Sequence, residues 1–134
     1  MMAAEPRAET PALPAAVVTV PRSSFRHGHR AGGTRTVPEE TAIAFTYNRV
    51  AYAVMMASPA DLEDFAVGFT LSEGIVSDAS EITALEVAPR DLGVELRVDL
   101  AAHSAERFSE RRRQMAGPVG CGLCGLESLS ETLR

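Results

Sequence analysis

The chain contains no tryptophan and no lysine, only seven Phe and Tyr residues, and only two cysteines in 134 residues. Each shortage narrows the possibilities. With so few aromatics the core must be built from Val, Leu, Ile, Met and Ala, supplemented by a few Phe. No apolar run approaches the roughly 20 residues needed to span a bilayer, and Met1-Met2-Ala3-Ala4-Glu5-Pro6 lacks the basic start and apolar stretch of a secretory signal. A cytoplasmic protein with no membrane partner is the expectation. In that compartment a structural disulfide is disfavoured, so a close cysteine pair reads as metal-binding or reactive. All the formal positive charge is Arg, which reflects coding bias more than a binding requirement.

The length fits one domain core. Residues 1–35 carry five Arg against two acids, whereas residues 36–134 carry eight Arg against sixteen. An acidic body without interleaved basic and aromatic residues argues against nucleic acid as the main partner. Residues 1–35 are rich in Pro, Ala, Arg and Gly and read as a disordered basic arm, with Ala16–Val20 as a possible edge strand ended by Pro21.

Residues 36–116 carry regular patterning. Ala42–Tyr47 and Val50–Met56 read as a hairpin turning at Asn48-Arg49, where a second-position glycine would be preferred to Arg49. Ser58-Pro59-Ala60-Asp61 has the residue types of a helix start, Leu62, Phe65, Ala66 and Phe69 share one face, and Gly74 is placed to stop the helix. The pattern predicts a helix at about 59–73. Ile82–Val87 and the alternating Val94–Leu100 read as strands, followed by a short surface helix over 104–115 anchored by Phe108 and Met115 and ended by Gly117-Pro118. The fold class is α+β, a small antiparallel sheet packed with one buried helix, leading into a mobile CxxC loop within residues 117–134.

That loop is Gly120-Cys121-Gly122-Leu123-Cys124-Gly125. Three chemistries are open to it. A zinc knuckle would need two further ligands, and the only histidines are His27, His29 and His103, the first two spaced more closely than paired zinc ligands usually are. A thioredoxin-like pair needs a surrounding βαβ unit, which the pattern lacks. A sulfur carrier needs an exposed thiolate that reaches two partners in turn. The flanking glycines supply the freedom, and Arg111-Arg112-Arg113 either favours the thiolate or forms a solvated helix face.

Several short motifs occur in order: Pro38-Glu39-Glu40-Thr41, Tyr47-Asn48, Met55-Met56-Ala57-Ser58-Pro59, Asp61 to Phe69, Leu71-Ser72-Glu73-Gly74-Ile75, Glu110 to Arg113 and the Gly120–Gly125 loop. Together, from about Val37 to Leu129, they closely resemble the formate dehydrogenase accessory sulfurtransferase family of the FdhD type. The resemblance implies a sulfurtransferase that takes sulfur from a cysteine desulfurase as a persulfide on Cys121, with Cys124 as its companion. It would deliver that sulfur to the molybdenum cofactor, in its guanine dinucleotide form, for formate dehydrogenase maturation. It also implies a homodimer at full length. Glu63, Asp64 and Glu73 are expected to be scaffold, not catalysts. Family members are roughly twice as long, and their cytidine deaminase-like second half holds the cofactor. A fragment or truncated member is therefore expected, holding no cofactor or metal of its own. The alternative is a non-catalytic module whose zinc-knuckle-like CxxC is completed by another chain. A truncated sheet is also expected to leave the Val94–Leu100 face short of cover, favouring oligomerisation or poor solubility.

Overall fold

The computed structural model describes residues 11–114. Strands β1 (Val17–Arg26) and β2 (His29–Pro38) form one antiparallel ribbon. A second sheet contains β3 (Thr41–Tyr47), β4 (Val50–Ala57), β5 (Ile82–Arg90) and β6 (Gly93–Leu100), in the order β4-β3-β6-β5. Helix α1 (Leu62–Ser72) connects β4 to β5 through a 3₁₀ turn at Ala79–Glu81, and α2 (Ala102–Gln114) follows β6. No helix among the described residues is long and apolar enough to cross a membrane.

The expected hairpin is present, and both turn residues take left-handed backbone, Asn48 at φ 47° and Arg49 at φ 65°. These are the dihedrals of a tight turn matched to strand twist. Tyr52 is the extra residue where the register shifts between Phe45 paired with Ala53 and Thr46 paired with Ala51. The turn is also tied to its neighbour. The Asn48 amide donates to the Val98 carbonyl at 2.9 Å, and the Asn48 side-chain oxygen accepts from the Leu100 amide at 2.7 Å.

Three expectations are corrected. The larger sheet is mixed, because β6 pairs antiparallel with β5 but parallel with β3. Helix α1 returns the chain to the opposite edge, so β6 comes back between β5 and β3. Gly93 permits that approach: at φ 149° it faces the Ala42 carbonyl oxygen, and an added Cβ would lie 2.2 Å from it. The second correction concerns residues 21–35, expected to be disordered; the edge strand expected over Ala16–Val20 is present but continues through Pro21. Val17 to Val20 pair with Pro38 to Arg35, and the ribbon turns through His27 and Gly28, both at positive φ. Pro21 and the polar, arginine-rich composition obscured a hairpin with glycine at the second turn position.

The third correction is the Val94–Leu100 face, which is covered. Val94, Leu96, Val98 and Leu100 are buried with Ile43, Phe45 and Tyr47 on the same side of the sheet. Leu62 and Ala66 of α1 and Phe108 of α2 complete this core. The alternation along β6 thus describes its burial correctly, while the helices supply the cover.

Helix α1 begins at Leu62, later than the expected 59. The Ala60 amide bonds back to the Ser58 carbonyl at 2.8 Å, closing a tight turn, and Asp61 at the N-cap takes φ 50° without a side-chain cap bond. The stop behaves as expected. Gly74 takes φ 63°, its amide bonds the Leu71 carbonyl, and the Ile75 amide bonds the Thr70 carbonyl, satisfying the last turn.

Candidate functional site

Cys121 and Cys124 lie outside the described residues, as do Met115 and the Gly117-Pro118 stop. The described residues are the frame that leads to them. Arg111-Arg112-Arg113 fall in the last turn of α2. His103 is in the first turn of that helix, His29 is in β2 and His27 is in the arm turn. Among the described residues, no group of three or more His, Cys, Asp or Glu side chains is placed to hold a metal ion.

The start of α2 is held by Glu81. One carboxylate oxygen accepts the backbone amides of Ser77 and Asp78 at 2.9 and 3.0 Å. The other accepts the Ser104 hydroxyl in a short hydrogen bond and pairs with Arg107 at 2.7 Å, with His103 Nε2 at 3.3 Å. The Ser104 bond, reinforced by the backbone amides and Arg107 against partial burial, pulls the Glu81 carboxyl down to about 2. Glu81 therefore remains anionic at neutral pH and ties β5 to α2, the last described element before the cysteines. This residue was missed in the sequence reading. The signal was available as Asp78-x-x-Glu81, a capping box in which the Asp78 side chain accepts the Ser80 amide.

An aromatic cluster supports the same helix. Phe108 lies 5.1 Å from Tyr47 and 5.6 Å from Tyr52, ring centre to ring centre, while Phe45 packs with Phe65 at 5.3 Å and Phe69 at 4.4 Å. Polar handles are accommodated inside it. Thr70 donates to the Ala66 carbonyl at 2.6 Å, so the buried Tyr47 hydroxyl, 3.0 Å away, donates to Thr70 Oγ1. Burial pushes the Tyr47 phenol far above its ordinary value. Tyr52 donates to Glu73 at 3.1 Å, while Glu63 and Asp64 are exposed in the first turn of α1. These placements suit a rigid support more than a reaction centre.

On the opposite face of the sheet, Glu95 bridges Arg90 at 2.7 Å and Arg97 at 3.2 Å, and Arg97 also pairs with Glu86 at 3.2 Å. Every cation of this group faces a carboxylate. It is a satisfied cross-strand charge ladder.

The sequence model of the FdhD/NarQ family matches residues 38–134, which takes in the hairpin, α1, α2 and both cysteines. The Sulfur carrier protein FdhD of Agrobacterium fabrum is 55% identical over 115 residues, covering 86% of this chain and 42% of that protein. That of Cupriavidus necator is 43% identical over 129 residues, covering 96% and 45%. The chain spans a little under half the length of these relatives. Among solved structures, a protein from Desulfotalea psychrophila assigned as a formate dehydrogenase accessory protein superposes with a TM-score of 0.54 at 27% identity, over 63% of this chain and 37% of that one. A match over most of the chain, together with relatives near half identity, shows that the chain belongs to the FdhD/NarQ family.

Proposed function

We propose that this chain is the sulfur-accepting portion of a sulfur carrier that serves formate dehydrogenase maturation. The observation that carries the reading is the family match, whose range, residues 38–134, takes in Gly120–Gly125 and both cysteines. The names of the relatives, Sulfur carrier protein FdhD, support it. So does a frame whose Glu81 network and aromatic cluster brace the helix leading to the loop.

The Cys121 thiolate attacks the terminal sulfur of a persulfide on a cysteine desulfurase. A new S–S bond forms at Cys121, the donor S–S bond breaks, and the donor cysteine leaves as thiolate. The sulfur transferred is sulfane sulfur, so this step consumes no electrons. Cys121 then presents it to the acceptor, the molybdenum cofactor in guanine dinucleotide form, which is substrate to this chain. Cys124 accompanies Cys121 in the loop.

The test is loading with a cysteine desulfurase and free cysteine, followed by alkylation without reductant. Trypsin releases Gln114–Arg134 as one peptide, because no Arg or Lys intervenes. One added sulfur should localise to Cys121, vanish in Cys121→Ser and persist in Cys124→Ser. An unmodified peptide, with a full-length relative loaded in parallel, would remove sulfur acceptance from this chain.

A further inference from the structure

Sulfur transfer gives the β1–β2 arm no task. Its charge is of one sign: no Asp or Glu occurs from Pro11 to Pro38, while Arg22, Arg26, Arg30 and Arg35 all lie on the ribbon. None of these four forms an ion pair among the described residues. At the tip Phe25 is 72% exposed, with the Arg30 guanidinium 5.9 Å from its ring centre. A two-stranded ribbon alone is marginal in water, and an exposed aromatic beside arginine is the composition of an interface anchor.

A complementary surface lies at the start of α1. A cavity of about 350 Å³ is floored by Pro59, Leu62 and Val87 and edged by Asp61, Glu63 and Asp64. These three carboxylates also form no ion pair among the described residues. Leu13 closes one side, three residues before Ala16, whose carbonyl accepts the Glu39 amide at 2.9 Å at the base of the arm. The groove therefore sits beside the arm's base. Ten-residue strands rising about 3.3 Å per residue put the tip roughly 30 Å away, so an intact ribbon does not return to its own groove.

We propose that the arm tip of one copy docks in the α1 groove of a second copy, Phe25 on the apolar floor and Arg26 and Arg30 against the acidic edge. In a twofold pair the exchange is reciprocal and both grooves are filled. A second copy fits better than a nucleic acid, because residues 36–134 carry sixteen acids against eight Arg and would repel a polyanion while supplying the matching surface.

The test places photoreactive benzoylphenylalanine at position 25 in a mixture of ¹⁴N- and ¹⁵N-labelled protein. A mixed-label cross-link from position 25 to residues 59–64 is expected, with a yield that falls as salt rises. The arm variant Arg26→Glu/Arg30→Glu and the groove variant Glu63→Arg/Asp64→Arg should each weaken self-association by about 30-fold. Mixing the two variants should restore it, since each arm then meets a groove of opposite charge. Single-label cross-links, cross-links elsewhere, a monomer in sedimentation with no cross-link, or protection of position 25 by duplex DNA in place of a second copy would each overturn the proposal. The wild-type cross-link decides even where a charge-reversed variant fails to fold.

Discussion

The Tyr47 hydroxyl is buried and directed at a single acceptor, Thr70 Oγ1, whose own proton goes to the Ala66 carbonyl. Thr70→Val strands that phenol and should cost about 1–3 kcal/mol, while Tyr47→Phe should cost about 1 kcal/mol. The double variant should be little worse than Tyr47→Phe alone in urea unfolding; additive losses would show that the two hydroxyls are not coupled. Glu81 carries the pH dependence. Its carboxyl is held at about 2, against an ordinary 4.5, so the stabilisation it brings is complete above 4.5 and drains as pH falls from there toward about 2. Acid titration of helicity by circular dichroism should show this loss, and Glu81→Gln should flatten the profile over that window. The Asn48 turn was legible in the chain because its dihedrals are a local demand. Glu81 was harder to see, because three of its partners, His103, Ser104 and Arg107, come from a helix more than twenty positions along the chain.

Helix α2 depends on a few contacts, as its sequence is mostly charged and only Phe108 and Ser104 are buried along its assigned side chains. Phe108→Ala removes the ring that meets Tyr47 and Tyr52 and should cost about 3–5 kcal/mol. Hydrogen exchange should quicken in α2 well before β3, and equal acceleration in both would place Phe108 in the common core instead. Helix α1 illustrates the limit of local signals. Ser58-Pro59-Ala60-Asp61 has the residue types of a cap, yet Pro59 is buried and Ser58 is taken up in a turn, so the helix starts at Leu62. Its end was legible, because only glycine meets the positive φ at Gly74 without cost.

The molecule divides into a packed mixed sheet with two helices and a ribbon that shares few buried residues with it. Trypsin at high ionic strength should cut first at Arg22, Arg26, Arg30 and Arg35 and spare Arg97, which is held in two salt bridges on a central strand. Early cleavage at Arg97 would show that the sheet opens as readily as the arm. The strand and helix periods and the cysteine pair were readable from residue order because each is written within a few consecutive positions, and the family was readable from the order of such short motifs along the chain. The described residues end before Cys121, so the loop is known from sequence alone. Only the tertiary structure decided that β6 lies parallel to β3, that the β6 face is covered by helices, that the arginine-bearing residues 17–38 form a ribbon, and that Glu81 anchors the helix leading to the cysteines. The ribbon is a local hairpin, but the other three share one physical reason. Local preference sets which way a segment bends and which face is apolar, whereas its partner is chosen by the burial and hydrogen bonding of residues far away in the chain.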